Sequence, residues 1–501
     1  MNSSKNKDKK RILSAILILL LLINLVTQAQ IINATYSQNA FKGDFSGKVI
    51  LYLAKENKRP KELSYGMPLF SCFSISVKNI KPNSTVVFND SAMAYPVKLS
   101  DIERGEYYAQ IVWDRNTGGR NIGTSPDNMY NKTVKINLTK NFNQTFSIVC
   151  DSVIPHQSFK EMKFMKELNV HSNLLSAFYK RPTTLNAAVN LPAEYYTDTT
   201  RKFPVQFVIL GFGGDYMWNS GLEVKSNKLD SFPNITVVLD GNCPLGHSTY
   251  ANSENNGPWG DALVKEFIPA LEKKFRCNGA RLVTGHSSGG WSSLWLQVNY
   301  PETFAGCWSS APDPVDFRNF ELINLYEDKN MYYDKDSALR VDGSVGGFMP
   351  WTYFKDGYRI EHVLYRGEQC VSWNAAWGKT QKNGTPESIC DVHTGKIDSM
   401  VASHWKNYDI SLLLRTQWAK LQPLLDGKIR VTAGNSDNFS LDKSVKLLEE
   451  EMKKLNSKFE FAYYPGDHFT VWTHEKYEKE GNHFLAEKYA EWLLQHPTLK
   501  K

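Results

Sequence analysis

Much is scarce in this sequence, and each scarcity excludes something. Beyond residue 29 there is no dense cluster of Lys and Arg, so nucleic-acid binding has no electrostatic support. More than half of the formal net charge of +7 comes from Lys5, Lys7, Lys9, Lys10 and Arg11 set against Asp8. After the first 29 residues no apolar run is long enough to span a bilayer, which argues against stable membrane insertion once that leader is removed. There are no internal repeats and no low-complexity tracts beyond the leader. Asp391, His393, Asp398 and His404 crowd one segment, but their spacing matches no zinc signature, so no metal and no cofactor is expected. Cysteine is sparse, at seven residues. In an exported chain Cys370–Cys390, Cys72–Cys150 and Cys243–Cys277 are the pairs to expect on regional grounds, leaving Cys307 free, although spacing does not fix connectivity.

The N-terminus reads as an export leader. A basic stretch ends at Arg11, an apolar run covers Ile12 to Val26, and Thr27-Gln28-Ala29 supplies small residues before Gln30. Residues 1–29 are therefore expected to be a signal peptide and the mature chain to be secreted or periplasmic. The alternative is an uncleaved anchor, for which the run is short.

From residue 30 to 160 the pattern is all-β: alternating segments starting near Gly47, Phe73, Ser84, Glu106, Lys132 and Thr145, separated by Asn, Pro and Gly turns. This predicts a sandwich-like β-domain. Residues 161–501 alternate strands with helices, the pattern of an α/β domain. NLLSAFYKR (from Asn173) and TTLNAAVNLP are read as an opening antiparallel pair. PVQFVIL, NITVVLD, RLVTG, AGCWSSAPD, KIRVTAG and FEFAYYPG are read as further strands. A Trp-, Tyr- and Gly-rich stretch, 315–426, interrupts the rhythm and is expected to be a lid-type insertion.

Gly285-His286-Ser287-Ser288-Gly289 fits G-x-S-x-G with an apolar strand before it and a small-residue helix after it. That turn lifts a nucleophilic hydroxyl above a sheet edge and needs residues without side chains on both sides. Such a serine needs a base, and the base an orienting acid, in the chain order Ser, acid, His. Asp437 follows KIRVTAG and His468 follows FEFAYYPG, both at strand ends. Asp442 competes as acid, though it reads as a helix cap, and His474 and His483 compete as bases in later polar segments. The oxyanion formed on attack needs two N–H donors, expected from the backbone of Ser288 and of Phe212 in the Gly211–Gly214 loop. His247, Asn255 and Trp259 in a polar loop, and Trp373 and Trp377 in the insertion, are candidate substrate contacts.

The region from Asn173 to His468 resembles the putative-esterase family, which includes esterase D-like, feruloyl esterase and enterochelin esterase proteins. The resemblance rests on LPAEYY at Leu191, GFGGD at Gly211, WGDALVKEFIPALEKKF at Trp259, GHSSGG at Gly285, YPETFAGCWSSAPD at Tyr300, AGNSDNF and PGDHF. It implies an α/β-hydrolase fold, ester hydrolysis without a cofactor, and Ser287, Asp437 and His468 as the catalytic residues. One departure is Leu210, where family members usually carry His before the oxyanion-loop glycine. The chain is accordingly read as a serine carboxylic ester hydrolase acting on a small-molecule or carbohydrate-linked ester. The alternatives are a siderophore esterase or acyltransferase of the same fold, and a non-catalytic binding protein built on it.

Overall fold

The computed structural model describes residues 30–63, 70–139 and 144–497. The expected leader, 1–29, lies outside the described residues. The chain forms two compact units. Asn116–Asn128 belongs with the second unit, whereas the strands on either side of it belong to the first.

The first unit is built from two sheets. One pairs Ile31–Tyr36 with Val86–Phe88 and, in parallel, with Thr145–Cys150. The other centres on Phe45–Ala54, flanked antiparallel by Ser71–Ile80 and Gly105–Asp114. Period-2 alternation puts Ile32, Ala34 and Tyr36 inside, facing Phe45, Val49, Leu51 and Trp113 from the other sheet. The Trp113 ring meets Tyr36 at 4.8 Å and Phe45 at 5.0 Å, both edge-on. The strand Ile31–Tyr36 begins one residue after the expected cleavage point and is not among the segments read from the sequence, the first of which starts near Gly47.

The second unit carries an eight-stranded sheet. In chain order the strands are β1 (Met165–His171), β2 (Thr184–Asn190), β3 (Phe203–Ile209), β4 (Ile235–Leu239), β5 (Cys277–His286), β6 (Gly306–Ser310), β7 (Ile429–Gly434) and β8 (Glu460–Tyr464). Their spatial order is β1-β2-β4-β3-β5-β6-β7-β8. β1, β2 and β4 pair antiparallel, and every later pairing is parallel. The central parallel strands β6 and β7 are buried on both faces. Five helices matter below: α1 (Ser288–Asn299), α2 (Gln369–Trp377), α3 (Ile410–Leu425), α4 (Leu441–Lys454) and α5 (Glu475–Gln495).

Three expectations need correction. Asn173–Tyr179 is a helix, not a strand; Ser172 caps it by accepting from the Leu175 N–H at 3.0 Å, and its strand role falls to Met165–His171. The cysteine pairs do not form: none of the three expected disulfides is present. Cys72 and Cys150 sit in different sheets, and the Cys150 thiol donates instead to the Ile111 carbonyl at 3.6 Å. Finally, much of 315–426 is not a lid. Phe317, Phe320, Trp373, Trp377 and Trp405 join the main core, and α3 packs on α1 and α4 as an ordinary crossover helix. What projects is the hairpin Val341–Val345/Met349–Tyr353, with Phe348, Met349 and Trp351 exposed.

Candidate active site

β5 runs directly into a strained turn. Ser287 has φ 61° and ψ −128°, a conformation a serine adopts only when its surroundings impose it. The glycines of the motif make the turn possible. A Cβ on Gly289 would lie 2.0 Å from the Ile209 carbonyl oxygen, and one on Gly285 would lie 2.3 Å from the Gly289 oxygen. The Ser287 N–H donates to the Ser310 carbonyl at 3.0 Å, tying the turn to β6. Ser288 opens α1, so its N–H is among the first-turn donors that find no partner inside the helix.

The loops after β7 and β8 bring Asp437 and His468 together. Asp437 Oδ2 and His468 Nδ1 are 2.8 Å apart and both side chains are buried. The other carboxylate oxygen accepts from the Phe439 N–H at 2.9 Å and the Leu441 N–H at 3.3 Å. Burial pushes the Asp437 pKa up, but His468 and these N–H donors outweigh it and hold the pKa below the ordinary aspartate value. The His468 N–H donates to Asn438 Oδ1 at 2.9 Å, which fixes the loop from its other side. His468 and Ser287 line one cavity.

The competing residues are occupied elsewhere. Asp442 pairs with Lys443 at 3.0 Å and Lys446 at 2.8 Å; it lies in the first turn of α4, whose cap position is Ser440. His474 caps α5, and His483 pairs with Asp230 at 2.6 Å.

The model of the Putative esterase family matches residues 180–484, more than half of the chain, including Ser287, Asp437 and His468. The chain belongs to this esterase family. The family, the sheet order and the Ser287 turn together make it a serine esterase with the α/β-hydrolase fold. Among solved structures, a ferulic acid esterase is similar to the esterase at 12% identity and TM-score 0.39, covering 66% of this chain and 100% of its own. The Staphylococcus aureus fluorophosphonate-binding serine hydrolase F is similar at 14% identity and TM-score 0.38, over 64% of this chain and 98% of its own. An S-formylglutathione hydrolase from Agrobacterium tumefaciens is similar at 15% identity and TM-score 0.35, over 66% of this chain and 98% of its own. No curated protein sequence matches the esterase.

The cavity beside Ser287 encloses about 320 Å³. Phe212 and Trp373 line it. Four other candidate contacts do not. Trp377 is fully buried among Trp291, Phe317, Trp373 and Trp405. Trp259 is a core residue whose indole donates to the Asn256 carbonyl. Asn255 binds the Ala375 and Gly378 carbonyls. His247 is buried behind the oxyanion loop; its Nδ1 accepts from the Thr249 N–H, so its Nε2–H donates to the Leu210 carbonyl at 3.1 Å. Burial lowers its pKa to about 4, so it is neutral. The Asp391–His393 segment is a turn in which Asp391 accepts from the His393 and Thr394 N–H groups. Among the described residues no group of His, Cys, Asp and Glu is arranged to hold a metal.

Sequence reasoning missed several residues of the esterase site. His286, the variable position of the motif, packs its ring 4.6 Å from that of His468. Its Nε2 lies 3.0 Å from the His468 carbonyl and its Nδ1 2.8 Å from Ser310 Oγ; burial lowers its pKa to about 3. Asp313 accepts from Ser288 Oγ at 2.7 Å and from the Trp373 indole at 3.1 Å. Arg120 stacks 4.5 Å over the Phe212 ring and donates to the Gly367 carbonyl. Its backbone is held by Arg366, which donates to the Gly119 and Arg120 carbonyls, both at 3.0 Å. Arg120 lies between β-domain strands in sequence, and only the fold reveals its place in the cavity.

Proposed function

We propose that the esterase hydrolyses carboxylic esters through an acyl-enzyme on Ser287. The Ser287 hydroxyl attacks the ester carbonyl while His468 takes its proton, and Asp437 holds the imidazole in the required tautomer. The backbone N–H groups of Phe212 and Ser288 stabilise the oxyanion. As the tetrahedral intermediate collapses, His468 returns the proton to the leaving alcohol. His468 then activates water, which frees the acid and restores Ser287. No cofactor enters any step.

The observation that carries this reading is the buried 2.8 Å Asp437–His468 pair opening onto the same cavity as a strained Ser287. The substrate is a small-molecule or carbohydrate-linked ester small enough to enter that cavity. The protein acts outside the cytoplasm, secreted or periplasmic, after cleavage before Gln30; the support is the basic-then-apolar leader of the sequence. The test is hydrolysis of p-nitrophenyl acetate. Wild type should turn it over, and Ser287→Ala and His468→Ala should each lose about three orders of magnitude or more in kcat. Retained activity in Ser287→Ala overturns the mechanism.

A further inference from the structure

Phe320 and Ile323 bond across a two-residue turn, N–H to carbonyl in both directions, at 2.7 and 3.0 Å. The central residues, Glu321 and Leu322, have φ of 49° and 70°, positions that usually fall to Asn or Gly. Leu322 points to solvent. Glu321 turns the other way, is 95% buried at 5% relative exposure, and lines the Ser287 cavity. Its Oε2 has no hydrogen-bond partner. An orphaned buried oxygen of this kind costs roughly 1–3 kcal/mol until a donor reaches it.

Asp342, also buried, lines the same cavity and helps raise the Glu321 pKa through its charge and a hydrogen bond. Asp342 also accepts from Thr352 Oγ1 at 3.0 Å. Burial, Asp342 and Asp313 all push the Glu321 pKa far above the ordinary carboxylate range. The other charged groups of the cavity wall have partners: Asp313 holds Ser288 and Trp373, and Glu368 lies in the field of Arg120. The orphaned oxygen thus belongs to one of two buried carboxyls on the same cavity wall. A hydroxyl would offer that wall a single donor. An ammonium brings three donors and a positive charge, and its hydrogen bonds to a carboxylate are charge-assisted, about twice as strong as neutral ones. The Trp351 indole, on the strand paired with that of Asp342, lines the same wall, and an indole attracts a cation placed over its face.

We propose that the Glu321–Asp342 pair binds an amino group, so that the esters processed at Ser287 carry a primary ammonium on the portion seated against the Trp351 hairpin. This names a substrate class and rests on the serine-esterase mechanism above. The test is calorimetric binding of benzylammonium, benzyl alcohol and benzoate to the full chain near neutral pH, which needs no turnover. Benzylammonium should bind at least about tenfold tighter than benzyl alcohol. Glu321→Gln and Asp342→Asn should each bring that ratio near one, with folding checked by circular dichroism. Benzylammonium should also slow fluorophosphonate labelling of the wild-type serine, a readout that needs no variant. Equal binding of amine and alcohol overturns the proposal, as does tightest binding of benzoate, which would make Arg120 the determinant. A ratio unchanged in a folded variant, or binding without protection, also overturns it. Failure to hydrolyse p-nitrophenyl acetate would overturn the esterase mechanism, while the calorimetry still decides the amine site.

Discussion

Replacing Trp377 by alanine separates core from cavity. The indole is fully buried, stacks on Trp373 with centroids 6.3 Å apart, and meets Trp291, Phe317 and Trp405 at 5.2–5.3 Å. Truncating a buried tryptophan to alanine costs about 3–5 kcal/mol, through lost burial and the void left behind. For a domain of this size each kcal/mol lowers Tm by about 2 °C, so a fall of roughly 6–10 °C is expected. Trp377 does not line the cavity, so kcat/KM for p-nitrophenyl acetate and for a bulky p-nitrophenyl naphthoate should fall together, in proportion to the folded fraction. Trp373→Phe should behave differently. Trp373 does line the cavity, and the change removes the indole donor to Asp313. It should shift the acetate-to-naphthoate ratio severalfold. Both esters are measured alongside thermal unfolding on the same preparations. A Trp377→Ala protein with unchanged Tm and an altered ester ratio would refute the assignment of Trp377 to the core.

Ser288→Ala should keep most of its kcat, because the mechanism uses only its N–H. It should lose about 1.5–3 kcal/mol in urea unfolding, because the buried Asp313 carboxylate loses a 2.7 Å donor. Asp437→Asn should be severe in kcat on p-nitrophenyl acetate and Asp442→Asn nearly silent, since Asp442 faces Lys443 and Lys446. His286 gives a pH dependence. Its folded pKa, about 3, lies below the ordinary value of 6.5, so the unfolded chain takes up the proton first. Its contribution to stability is complete above pH 6.5 and is lost as pH falls toward 3, at up to about 1.4 kcal/mol per unit. The gap in unfolding free energy between wild type and His286→Gln should narrow over that window, and a constant gap would contradict the neutral buried imidazole.

The nucleophile turn and the acid and base loops were legible because their chemistry is local. A motif flanked by strand and helix, and two polar residues just past apolar strands, need no knowledge of distant packing. Asn173–Tyr179 misled because LLSAFY is apolar enough for either state, and the Ser172 cap decided the matter. The tryptophans of the insertion misled because composition does not say which ring faces a cavity. Trp373 and Trp377 are four residues apart on α2, yet only the first reaches the site. Arg120 and Glu321 could not be read at all. One lies in a loop between β-domain strands, the other in a tight turn, and both become site residues only when distant segments converge on Ser287.

The most direct test of the mechanism is to label the purified protein with a fluorophosphonate probe and map the modified peptide. The account predicts stoichiometric labelling at Ser287, lost in Ser287→Ala, sharply slowed in His468→Ala and retained in Ser288→Ala. A probe adduct on any other residue, or undiminished labelling of folded Ser287→Ala, would contradict it.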